Sequence, residues 1–69
     1  MGWSSGSELM DKVINAAQYT IFDLRLRRMF YLEVIKAFEG HDWDTQDECL
    51  RKDPIFDTAL KELHPDWEI

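Results

Sequence analysis

The segment "FDLRLRRMFYLEVIKAFEG", Phe22 to Gly40, constrains the fold more than any other part of the chain. Phe22, Leu24 and Leu26 alternate like a strand, but the apolar pattern then turns helical and runs too long for a strand. Asp23 is a cap residue and Gly40 a left-handed stop, so the spacing predicts a helix over 24–39. Its apolar residues (Leu24, Leu26, Phe30, Tyr31, Val34, Ile35, Ala37, Phe38) cover nearly half of the circumference. A helix facing one neighbour needs a narrower stripe, so this one is expected at the centre of an all-α domain, with Phe30, Val34 and Phe38 among its least replaceable core residues.

The flanking segments supply its neighbours. Upstream, Ser5 and Glu8 have the S-x-x-E spacing of a capping box, and Leu9, Met10, Val13, Ile14, Ala16 and Ala17 share one sector, which predicts a helix over 6–19. Downstream, Thr45 and Glu48 repeat the box as T-x-x-E and predict a short helix over 46–51. Asp53 caps a last helix over 54–63 with Pro54 at its first position, where a missing N–H costs nothing. Ile55, Phe56, Ala59, Leu60 and Leu63 share a face there, and His64-Pro65 ends it. The expectation is a single domain, 1–69, built as a small three- to four-helix bundle.

A chain of 69 residues buries only about 60% of the surface its unfolded form exposes, so its stability is marginal. The one cysteine, Cys49, closes no internal bridge. With no signal-like segment and no apolar run near 18 residues, the expected location is cytoplasmic, without membrane contact. Apolar residues make up 45% and aromatics 13%, too much for a disordered acidic tail.

The formal charge of −6 is unevenly placed. Residues 1–35 hold four acids and four bases, whereas residues 36–69 hold ten acids and four bases. Direct binding to nucleic acid is therefore disfavoured, because such binders gain affinity by displacing counterions with Lys and Arg. A larger protein with a basic surface is the better partner.

The excess concentrates in "EGHDWDTQDEC", Glu39 to Cys49, with five carboxylates and no lysine or arginine. Asp42, Asp44 and Gln46 have the first spacings of a calcium loop, but Asp47 stands where its glycine is required and Asp53 where its bidentate glutamate is required. His41, Cys49 and His64 are zinc-type ligands without the short spacing of a structural site. Catalysis needs a nucleophile with a base or a pair of tuned carboxylates, and the acids around Cys49 disfavour its thiolate. No catalytic residue, metal ligand or cofactor is expected.

Part of the acidic stretch is expected to be structural, with Thr45 and Glu48 capping and Asp47 complementing a helix start. One or two carboxylates satisfy such a start, so the surplus points to a partner. The candidate binding residues are Asp42, Asp44, Asp47 and Glu48, with Trp43 either plugging the core or serving as an exposed apolar anchor. Trp3 and Trp67 carry the same two alternatives. On the central helix, Met29 and Leu32 are either covered by the last helices or form a homodimer or partner surface, and Arg27 either snorkels to water or has a carboxylate partner.

The opening "MGWSSGSELM", the central "AFEGHDWDTQDEC" and, more weakly, "FDTALKELHPDW" resemble a group of small acidic proteins encoded in bacterial, prophage and phage genomes, which share a "GWSSGS"-like start and a "DWDT-x-DE" box. These motifs carry no known chemistry, so no functional residues transfer. The genomic setting is compatible with proteins that block a defence enzyme, a toxin or another host factor. The function expected is a non-enzymatic inhibitor or modulator of a bacterial protein, nucleic-acid-handling or otherwise, with acids standing in for phosphates. The alternatives are an assembly subunit that homodimerises through Met29 and Leu32, or a metal-dependent small domain.

Overall fold

The computed structural model describes residues 5–69, so Trp3 lies outside the described residues. Among these residues the chain forms three α-helices, α1 (Gly6–Thr20), α2 (Leu24–Glu39) and α3 (Pro54–Leu63), a single 3-10 turn (Gln46–Cys49) and no strand. The fourth predicted helix is thus one tight turn that ends at Cys49. No helix among the described residues is long and apolar enough to cross a membrane.

Each α-helix buries a narrow stripe with helical spacing: Met10, Ile14 and Ala17 on α1, Tyr31 and Ile35 on α2, Phe56, Ala59 and Leu60 on α3. Helix α2 packs chiefly on α3, where the rings of Tyr31 and Phe56 meet edge-on, 5.4 Å between centroids. Helix α1 lies against the 3-10 turn and touches α2 only lightly. That asymmetry explains two departures from the sequence expectation. Phe30 is 36% exposed and Leu9 46% exposed, outside the stripes that these contacts cover. Val34 and Phe38 are half-buried and pack against the core.

The start of α2 is capped by Asp23, whose Oδ1 accepts from the amides of Arg25 (2.9 Å) and Leu26 (3.3 Å). Asp53 does the same for α3, accepting from Ile55 N at 3.0 Å, with Pro54 following it. Asp53 also has a second task. Its carboxylate is 1% exposed, accepts from the Tyr31 hydroxyl at 2.7 Å and lies 3.3 Å from Arg27 Nε, so Arg27 has a carboxylate partner from another helix. The guanidinium Nε is not aligned for a hydrogen bond, and charge attraction alone joins the pair. Burial first, then the hydrogen bond to Asp53 and its charge, push the Tyr31 phenol far above its ordinary range. This cluster locks α2 to the start of α3 at the centre of the molecule.

Neither predicted capping box forms. Ser5 has helical backbone angles and its hydroxyl caps nothing, while a capping residue normally sits in extended backbone. Thr45 also leaves the 3-10 turn uncapped, because its hydroxyl is engaged elsewhere.

Candidate functional site

Helix α2 ends in a turn that the acidic stretch builds for itself. Gly40, expected in the left-handed region, has φ −63, and the left-handed residue is Asp42 at φ 65. The amide of Asp42 donates to Glu39 O (3.1 Å) and that of Trp43 to Phe38 O (3.3 Å), the hydrogen-bond pair of a Schellman motif. Such motifs pair an apolar residue just past the end with one in the last turn. Here these are Trp43 and Phe38, meeting edge-on with centroids 5.5 Å apart.

Trp43 is consequently 2% exposed, and the exposed-anchor role does not fit it. Its indole N–H donates to Ser7 Oγ at 3.0 Å. Ser7 Oγ in turn donates to Thr45 O at 2.8 Å and shares a 2.5 Å hydrogen bond with the Thr45 hydroxyl. One buried serine therefore uses its whole hydrogen-bonding capacity to tie the start of α1 to a turn 38 residues away. Cys49 is also buried, with Sγ 3.5 Å from Ser7 O. Burial above all pushes its thiol pKa up, with smaller contributions from Asp11 and Glu48, so the acids are the lesser cause.

A second tie closes the other side of the turn. Glu39 Oε2 accepts from Gln46 Nε2 at 2.8 Å and contacts His64 Nε2 at 2.7 Å, linking α2, the 3-10 turn and the end of α3. The His64 ring stacks on Trp67, 3.7 Å between centroids and 6° between planes, and brings the C-terminal residues over the turn. Trp67 is only partly covered and stays exposed, as do Glu68 and Ile69.

What these ties leave outside is the set of four carboxylates, Asp42, Asp44, Asp47 and Glu48. All four are exposed, and none has a salt bridge or a side-chain hydrogen bond within the described residues. Four of the bases are engaged elsewhere: Arg27 with Asp53, Arg28 with Glu62, Lys36 with Glu33, Lys52 with Asp11. Asp44 and Asp47, joined by Glu68, rim a cavity of about 350 Å³ whose apolar lining includes Leu50, Trp67 and Ile69. A carboxylate rim over an aromatic and aliphatic lining suits a cationic group on an apolar stem, as in arginine or lysine. A larger cavity, about 510 Å³ along α1, has mixed charge and is spanned by the Lys52–Asp11 pair at 2.9 Å.

The predicted site residues thus divide. Asp42, Asp44, Asp47 and Glu48 share one exposed end; Trp43 lies beneath them in the core. Met29 is exposed on α2, but Leu32 is half-buried and packs against the core, so the two do not form a common surface. His41, Cys49 and His64 do not converge, and no three His, Cys, Asp or Glu side chains among the described residues are placed to hold a metal. Sequence reasoning missed Ser7, Glu39 and Glu68. Ser7 could have been suspected only as a small polar residue one turn before Met10, in line with the apolar stripe of α1.

Comparison with protein-family models, with curated proteins and with solved structures found no match to this chain.

Proposed function

We propose that the chain is a small, non-enzymatic acidic binding protein that docks on a basic surface of a larger bacterial protein and inhibits or modulates it, in keeping with the phage- or prophage-type proteins it resembles. The observation that carries this reading is the pairing pattern. Among the described residues the one buried carboxylate, Asp53, has partners, whereas the four of the acidic turn are exposed and unpaired, with Asp44 and Asp47 beside an apolar cavity. Free carboxylates that repel one another are retained at a cost to the free protein, and a basic partner relieves that cost. Trp67 and Ile69 take the anchor role that Trp43, being buried, cannot. Where the target's surface normally holds nucleic acid, the carboxylates stand in for phosphates.

The test is capture from host lysate on immobilised parent protein and on the Asp42→Asn, Asp44→Asn, Asp47→Asn triple variant, followed by titration of the recovered protein. The expected result is one stoichiometric partner with a basic surface. The triple variant binds it at least about tenfold more weakly at low salt, and its affinity varies less with salt. Trp67→Ala shortens the lifetime of the complex and leaves the association rate unchanged. Equal binding by parent and triple variant would overturn the proposal.

A further inference from the structure

The face of α2 turned away from α3 is apolar and uncovered. Leu26, Met29 and Phe30 occupy adjoining positions one helical turn apart, and Phe22 precedes the helix cap; their exposures are 57, 55, 36 and 77%. They present roughly 400 Å² of apolar surface, within the range of about 300–600 Å² spanned by the largest patch on a typical monomer, which is often functional. That is about half of the ~800 Å² that one side of a standard interface contributes. The stems of Arg25, Glu33 and Lys36, all exposed on the same side of the helix, lie beside it to supply more.

We infer that this face pairs with the same face of a second copy, the two α2 helices running antiparallel about a two-fold axis at Met29. The charge pattern selects both occupant and orientation. Arg25 and Glu33 stand four residues either side of Met29, so each is about 6 Å along the helix from the axis. Antiparallel pairing brings Arg25 of one copy level with Glu33 of the other, twice, and sets Leu26 between Met29 and Glu33 of the second copy. Parallel pairing would put Arg25 against Arg25 and Glu33 against Glu33. Within one copy Arg25 has only a 4.0 Å contact with Asp23 and its side chain is 90% exposed, while Glu33 holds Lys36 at 2.8 Å in an exposed pair that the second copy's Arg25 would join. Residues 1–35 are formally neutral, so two copies that each carry −6 repel least on approaching through this face. The inference is independent of the acidic turn.

Sedimentation equilibrium of the full chain over about 10 µM to 1 mM tests it, with far-UV circular dichroism confirming that each variant is folded. The parent is expected to dimerise in this range. Met29→Glu, which sets two carboxylates face to face on the axis, raises the dissociation constant about thirtyfold or more. Arg25→Glu alone and Glu33→Arg alone weaken the dimer, and the double swap restores it, a readout that holds even if Met29→Glu perturbs the fold. A parent that stays monomeric throughout overturns the inference, as does a dimer that the double swap fails to restore.

Discussion

Asp53 and Asp47 are six residues apart in the chain and belong to opposite regimes. Asp53 is buried between Arg27 and the Tyr31 hydroxyl and caps α3 with its other oxygen. Asp47, with Asp42, Asp44 and Glu48, faces solvent without a partner among the described residues. Composition alone treats these carboxylates alike, but only the first is part of the scaffold. The difference teaches that in a marginal domain a carboxylate is either fully engaged or dispensable to the fold, and the dispensable ones are available to a partner.

The comparison breaks most sharply at Asp53. Asp53→Ala leaves Arg27 charged and largely buried, removes a helix cap and leaves the Tyr31 hydroxyl only the longer 3.4 Å contact with Ile14 O, a loss of about 3–5 kcal/mol that rivals the whole stability of a domain this small. The variant is expected to be unfolded by circular dichroism at room temperature, and a cooperative melt near that of the parent would refute the role assigned to the cluster. The same cluster sets an alkaline limit. Its folded phenol keeps a proton that the unfolded chain releases near the ordinary value of 10.0, so the stability present below that pH is lost as pH rises above it. Urea titrations from pH 8 to 11 should show the decline, and Tyr31→Phe should flatten it.

Ser7→Ala comes next. It removes the acceptor of the Trp43 indole and the partner of Thr45 together, for a cost of about 1–3 kcal/mol. Equilibrium urea unfolding measures it, and the fluorescence of Trp43 should shift toward that of exposed tryptophan. Asp42→Gly has the opposite sign. The left-handed position at the end of α2 favours glycine, so the variant should gain about 1 kcal/mol in the same assay. A loss would mean that the Asp42 side chain contributes to the turn.

How much of this was legible in the sequence depended on how local the cause was. The α1, α2 and α3 spans, the Asp23 and Asp53 caps and the Pro54 start all follow from residues within a turn of one another, and the periodicity displays them. Thr45 was misjudged because its hydroxyl is satisfied by Ser7, 38 residues away, which no local spacing encodes. Phe30 was placed in the core because its helical angle is apolar, yet coverage depends on how closely α1 approaches, and α1 leans on the 3-10 turn instead. At the acidic stretch the surplus of charge was plain, but Trp43 could not be divided from the acids around it. The step that buries it is a backbone turn at Asp42, where sequence preference pointed to Gly40. The tail residues Trp67 and Glu68 join the site through the stack on His64 and the hydrogen bonds of Trp67 with Lys61 and His64, none of which the periodicity displays.

The most direct test of the contrast between engaged and surplus carboxylates is equilibrium urea unfolding of the Asp42→Asn, Asp44→Asn, Asp47→Asn variant beside the parent, at low and at moderate salt. Asparagine keeps the left-handed turn at position 42 accessible and removes three mutually repelling charges. The variant should match the parent within about 0.5 kcal/mol at moderate salt and equal or exceed it at low salt, where repulsion is least screened. A loss of about 2 kcal/mol or more would contradict the account, because it would make these carboxylates part of the scaffold, as Asp53 is.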